Sequence, residues 1–270
     1  MSANHKAQQP IGIFDSGIGG LTVTNAIRNL MPEEHLIYYG DTAHMPYGEK
    51  SADAIKYYSL KISKFLLDQN CKSIVIACNS ASSAAYNTLL DFFDGRVIFT
   101  NVVDPLVEEV ARKKYKNIGV IATKATIASN VYRDKIKHVL QKSNVHSLAT
   151  PLLAPMIEEG FYQGKVPHTI IESYLSNPNF QDLDALLLAC THYPLIKDEI
   201  STFFNNKVDI LDSTDIVARS LYQSLKAENL LNTKRTIDNR FYVSDLTESF
   251  KDTAANFYGS DVLLEVENIW

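Results

Sequence analysis

Two thiols stand out because each closes an apolar run and opens onto small polar residues. Cys78 follows Ile74-Val75-Ile76-Ala77 and precedes Asn79-Ser80, while Cys190 follows Leu186-Leu187-Leu188-Ala189 and precedes Thr191-His192-Tyr193-Pro194. A thiol at the carboxyl end of a buried strand, just ahead of a helix, lies in the field of that helix N-terminus. This should stabilise the thiolate and lower the thiol pKa from about 8.5. One such cysteine reads as a nucleophile. Two in equivalent places can face one ligand from opposite sides, and stereochemical inversion needs an acid and a base on opposite faces of one carbon. One thiolate would take the α-proton while the opposite thiol returns a proton to the other face. His192 can tune the neighbouring Cys190 or relay its proton. A buried cysteine can also be a small hydrophobe; that reading suits Cys71, which starts a strand and has no motif around it.

Two further clusters sit where strands should end: Asp15-Ser16-Gly17-Ile18-Gly19-Gly20, and the stretch from Asp41 to Gly48. Across all four clusters the residues are mostly hydroxyls, amides and glycines. None contains arginine, and only Lys50 brings a cation near. Anions would then be held by backbone N–H groups, helix N-termini and hydroxyls. That suits a small carboxylate better than a polyphosphate. Thr22 stands where a dinucleotide fingerprint needs its third glycine, and there is no Walker A sequence. Asp15 reads equally as a helix cap or as a functional group. Cys78, Cys190 and His192 lack the C-x2-C and H-x3–5-H spacings of zinc sites, and no C-x-x-C suggests disulfide exchange. No metal is expected.

The elements that must position these groups show in the hydrophobic pattern. Ile11–Phe14, Leu36–Tyr39, Ser73–Ala77, Val97–Thr100, Ile118–Ala122, Leu186–Ala189 and Val208–Leu211 are apolar with little alternation. Such runs mark parallel strands covered on both faces. Helical patterns lie between them: Ser51–Gln69 with Ser51 as cap, Asp104–Tyr115 with Asp104 as cap, and Ser213–Asn229 with Ser213 as cap. Strand–helix alternation predicts doubly wound α/β layers with mainly parallel sheets. Ile11–Ser16 resembles Ile118–Thr123 at an offset of 107 (11 to 118), and Ile74–Asn79 resembles Leu186–Thr191 at 112 (78 to 190). The order and near-constant offset suggest a duplicated unit. His138 and His146 read as solvated helix or loop residues.

Composition narrows the function. The chain of 270 residues carries a net charge of −5 and no basic run, which argues against nucleic-acid or membrane-surface binding. Its apolar stretches fall far short of the ~20 residues of a membrane helix. The N-terminal stretch MSANHKAQQP is polar and lacks a secretory h-region. Three cysteines do not make a disulfide framework, so a reducing cytoplasm is expected.

At these residues the sequence closely resembles the cofactor-independent glutamate racemases of the aspartate/glutamate racemase superfamily. The resemblance runs nearly end to end, through IGIFDSGIGGLTV, DTAHMPYGEKS, IACNSAS, LLLACTHYPL and ILDST around Asp212. The first motif together with PYG favours glutamate over aspartate. The resemblance implies two pseudo-symmetric flavodoxin-like α/β domains, residues 1–101 plus 212–270 and residues 102–211, with the active site at their interface. It implies no cofactor, a small-molecule substrate (glutamate), a homodimer, and a product feeding peptidoglycan synthesis. Carried over by motif, Cys78 acts on the D-isomer and Cys190 on the L-isomer. Asp15 would assist Cys78, and His192 with Glu158 would assist Cys190, Glu159 being the adjacent alternative. Asp15, Ser16, Tyr47, Gly48, Asn79, Ser80, Thr191 and His192 match substrate-binding positions. Ser80 departs from the family's usual threonine, keeping the hydroxyl and losing a methyl. The long N-terminal extension of members activated by a cell-wall precursor is missing, so no such activation is expected. Racemisation of aspartate or another small acid, and a non-catalytic amino-acid-binding regulatory module, are the alternatives.

Overall fold

The computed structural model describes residues 6–270, apart from the side chains of Ser249 and Asp252. The first five residues of the polar N-terminal stretch lie outside the described residues. Among those described, ten strands form two sheets. Six strands, β1 (Ile11–Asp15), β2 (Leu36–Gly40), β3 (Ser73–Ile76), β4 (Ile98–Asn101), β9 (Arg240–Val243) and β10 (Leu264–Val266), pair in the order β10-β9-β2-β1-β3-β4. The others, β5 (Asn117–Ala122), β6 (Asn144–Ala149), β7 (Ala185–Ala189) and β8 (Asp209–Asp212), pair in the order β6-β5-β7-β8. Every pairing is parallel.

Apolar runs become central strands because both faces are covered. In β1, Ile11 and Ile13 join a core with Leu21, Ile27 and Leu221, while Phe14 on the opposite face packs with Ile62, Leu66 and Leu89. In the smaller sheet, Leu186 and Leu188 face Leu153, Ile171 and Leu175, whereas Leu187 and Ala189 face Val103, Val110 and Ile136. The helix Val103–Lys113 leads from β4 into the smaller sheet, and Thr214–Ala227 leads from β8 back to β9.

Three strands escape the apolar pattern. β6 and β10 contain exposed or half-exposed residues and are sheet edges, whereas β9 lies inside the sheet as a four-residue strand with only Arg240 exposed. An edge strand needs no continuous apolar run. His146 therefore lies in a strand rather than a loop. Two caps also move. Asn101, not Asp104, caps Val103–Lys113, its Oδ1 accepting from Val103 N and Asp104 N at 2.8 Å each. Asp212, not Ser213, accepts from Thr214 N at 3.0 Å ahead of Thr214–Ala227. Ser51 does cap Ala52–Asp68, accepting from Ala54 N.

The topology sets where a ligand can bind. The chain leaves β1 for β2 on one side and later enters β3 on the other; β5, β6 and β7 repeat the move. A crevice opens at such a switch point beyond the carboxyl ends of the strands. Asp15 and Cys78 follow one switch pair, Thr123 and Cys190 the other. No helix among the described residues is long and apolar enough to cross a membrane.

The opposite end of the larger sheet is tied by a buried ion pair. Lys72 Nζ meets Glu34 Oε2 at 2.5 Å and donates to the carbonyls of Ala7 and Leu230 at 2.6 and 2.8 Å. Glu34 Oε1 accepts from Asn232 N at 2.9 Å. Removing one partner strands the other charge away from water, a loss of about 3–5 kcal/mol. Lys72→Ala should lower the urea-unfolding free energy by about that amount; an unchanged unfolding midpoint would rule out this role.

Candidate active site

The strand-end clusters of both sheets wall one cavity of about 240 Å³, a size suited to a small ligand. The larger sheet supplies Ser16, Gly17, Cys78, Asn79 and Ser80, with Met45, Pro46, Tyr47 and Gly48 from the loop after β2. The smaller sheet supplies Thr123, Ala154, Pro155, Glu158, Cys190, Thr191 and His192. The two thiols therefore reach the same space from different sheets. Among the described residues no lysine or arginine lines it.

Cys78 occupies the N-cap of the helix Asn79–Phe93. Its Sγ accepts from Ala81 N at 3.4 Å and lies 3.7 Å from Ser16 Oγ. The lowered pKa expected of a helix-start thiol is not found. Burial, followed by the negative charge of Asp15, outweighs the Ala81 N–H and pushes the Cys78 thiol up to about 12. Asp15 is not part of the cavity wall. It is fully buried, with Oδ2 accepting from Gly17 N at 3.1 Å. Burial raises its pKa, tempered by the His192 charge and neighbouring backbone N–H groups. Its position fits support of Cys78 rather than direct ligand contact.

Cys190 stands at the head of a relay. His192 Nδ1 lies 3.7 Å from Cys190 Sγ, and His192 Nε2 lies 2.8 Å from Glu158 Oε1. Glu158 is half-buried and faces the imidazole, whereas Glu159 is exposed. Burial by itself would lower the His192 pKa. Hydrogen bonds to Cys190 and Glu158, with the negative charge on both, overcome this and hold the imidazolium well above its ordinary range. Phe257 closes the other side, its ring edge-on to His192 with centroids 5.1 Å apart.

The sheets are joined around the cavity by polar contacts and close backbone approach. Thr22 Oγ1 donates to Thr191 O at 3.1 Å, and Ser80 Oγ shares a hydrogen bond with Thr123 Oγ1 at 2.9 Å. A Cβ on Gly48 would come within 2.7 Å of Thr123 Cβ, and one on Gly19 within 2.5 Å of Thr191 Oγ1. Those two positions need glycine for space. Tyr47 donates to the buried Asp41 Oδ2 at 2.7 Å, and Asp41 Oδ1 is bonded by Ser244 and His44 at 2.9 and 2.8 Å.

Apart from Asp15, every residue singled out for the site lines the cavity. Thr123 was passed over, although the repeat pairs it with Ser16 at the same offset of 107 (16 to 123). Tyr132, which donates to Asn79 Oδ1 at 2.6 Å, carried no local signal. Among the described residues no three His, Cys, Asp or Glu side chains are placed to share a metal ion.

Fold and site together define a two-sheet α/β protein of the racemase class, with a thiol from each sheet on one cavity. The chain belongs to the Asp/Glu/hydantoin racemase family, which matches residues 11–221. It is 43% identical over 219 residues to a glutamate racemase of Aquifex aeolicus, covering 81% of this chain and 84% of the relative. It is 38% identical over 251 residues to one of Geobacter metallireducens, covering 92% of each. The structure of glutamate racemase from Francisella tularensis in complex with D-glutamate superposes with a TM-score of 0.91 at 36% identity, covering 97% of this chain and 98% of the other.

The raised His192 pKa has a definite sign. A group whose pKa is higher folded than unfolded stabilises fully below its unfolded pKa of about 6.5, and loses that contribution as pH rises through the folded value. The stability gap between the native chain and His192→Asn should be widest near pH 6 and narrow at higher pH. Denaturant titrations across this range check it, and a gap that widens with pH would contradict a charged His192.

Proposed function

We propose that this chain interconverts L- and D-glutamate by moving the α-proton between two thiols, without a cofactor. The observation that carries the proposal is the single small cavity walled by Cys78 from one sheet and Cys190 from the other. Neither thiol is needed merely to bind an amino acid. The glutamate racemase relatives, and the D-glutamate held by the Francisella tularensis enzyme, support glutamate as substrate.

The neighbours distinguish the two thiols. A thiolate at Cys190 would be paired with the His192 cation, whereas burial and Asp15 keep Cys78 as the thiol. This is the state suited to L-glutamate. Cys190 thiolate takes the α-proton, the C–H electron pair passes into the α-carboxylate system, and the Cys78 S–H delivers its proton to the opposite face. D-glutamate leaves with the thiol protonation states exchanged. In the reverse direction a Cys78 thiolate with a high pKa is a strong base for the D-isomer.

The α-proton is far less acidic than a thiol. Positioning, exclusion of water and N–H or O–H donors at the developing charge must narrow the gap. Ser16, Asn79, Ser80 and Thr191, with the backbone at Gly48, are the donors suited to the two carboxylates. We also read the chain as two domains, residues 1–101 plus 212–270 and 102–211, closing on substrate as a cytoplasmic homodimer that supplies peptidoglycan synthesis.

Optical rotation of L-glutamate, with L-aspartate in a parallel cell and no added pyridoxal phosphate or metal, tests the proposal. The glutamate signal should decay to zero. Decay of aspartate alone would overturn the substrate, and decay of neither the activity. Cys78→Ala and Cys190→Ala should each abolish turnover, and near-native turnover in either would overturn the two-thiol mechanism.

A further inference from the structure

Asn79 adjoins the Cys78 thiol and lines the cavity, yet its amide is only half satisfied. Oδ1 accepts from Tyr132 O–H at 2.6 Å, while Nδ2 is buried with no protein partner among the described residues. A primary amide presents a carbonyl acceptor at one end and two N–H donors at the other. Whichever end is bound elsewhere decides what the other can offer a ligand. Tyr132 is buried on the helix Val131–Val139, which packs on the smaller sheet, whereas Asn79 opens the helix that follows β3 of the larger one. A phenol from one half therefore orients a ligand-facing amide of the other.

We propose that Tyr132 is a positioning and specificity residue: by holding the Asn79 carbonyl, it leaves only N–H donors for the ligand and biases the cavity toward a carboxylate over an amide. The unpaired Nδ2 supports this independently, because a buried donor without a partner is costly until an acceptor arrives. A carboxylate oxygen is such an acceptor. If Asn79 turned over, its carbonyl would face the anion and repel it, but would accept from the NH2 of a carboxamide. The bond also crosses between the halves, so the donor is set only when they are together. This inference deepens the racemase reading and rests on it for the identity of the ligand.

Tyr132→Phe removes one hydroxyl and keeps the ring that fills the core. The phenylalanine variant should raise KM for glutamate about tenfold, as expected when the freed Asn79 amide no longer holds its hydrogen bond to a charged carboxylate, with kcat within about twofold. Its calorimetric Kd should rise in parallel. Competition by L-glutamine and by the α-amide of glutamate should show that preference for carboxylate over amide falls for one of the two. In an Asn79→Ala background the same substitution should change KM little, since Tyr132 acts through that amide. Unchanged KM, Kd and amide discrimination in a wild type that racemises glutamate would overturn the role of Tyr132 alone. An effect that persists undiminished without the Asn79 side chain, or a parallel loss of kcat and melting temperature at constant discrimination, would do the same. A wild type that binds glutamate without racemising it would overturn the racemase reading while calorimetry still judged Tyr132. One that does neither would overturn both.

Discussion

Two thiols that start at the ends of different sheets must reach one volume small enough to hold a single amino acid from both sides. That constraint governs the rest of the molecule. It requires the carboxyl ends of two parallel sheets to face each other at close range, where ordinary side chains would hold them apart. Gly19 and Gly48 remove the Cβ atoms that would collide with Thr191 and Thr123. The Thr22–Thr191 and Ser80–Thr123 hydrogen bonds then fasten the approach. The shared core helps, because one continuous apolar cluster runs from Ile11 and Ile13 of the larger sheet to Leu186 and Leu188 of the smaller.

Burial at this junction has an electrostatic consequence. Among the described residues no lysine or arginine lines the cavity, so burial acts first and the nearest partners add to it or offset it. Burial, and after it the charge of Asp15, pushes Cys78 toward the thiol. Cys190 has an imidazolium that Glu158 holds in place. Two thiols in pseudo-equivalent frames thus have unlike neighbours. The larger sheet contributes Asp15 at the end of β1, where the repeat places Ala122, and the smaller contributes His192, where the repeat places Ser80.

The fold was most legible where a strand is a continuous apolar run. β1, β3, β5 and β7 announce themselves as apolar runs, while β6 and β10 are sheet edges with no continuous run to notice, and β9 is a four-residue strand opened by an exposed arginine. Caps were misplaced for a related reason. Asp104 and Ser213 have the right chemistry, but Asn101 and Asp212 have the right geometry, and several eligible residues stood within a turn of each helix start. Of the site, Cys78, Cys190 and His192 were legible because each lies just past a strand end, while Tyr47, Gly48 and Glu158 were assigned only through the resemblance. Thr123 was visible only through the repeat, and Tyr132 through nothing local.

By itself the sequence determined which groups are available: two strand-end thiols, a histidine two residues from one of them, glycines at the turns, and hydroxyls and amides in place of cations. Those depend on residue type and on spacing along one strand and its following loop, and both are local. Tertiary structure decided everything that depends on distance between remote segments. It chose Glu158 over Glu159 by turning only one toward His192, put Asp15 behind the cavity wall, and reversed the expected pKa shift of Cys78. It also set Tyr132 against Asn79, 53 residues apart in the chain. Charge and hydrogen bonding act over a few ångströms, so their outcome is written in the packing of the two sheets rather than in either strand.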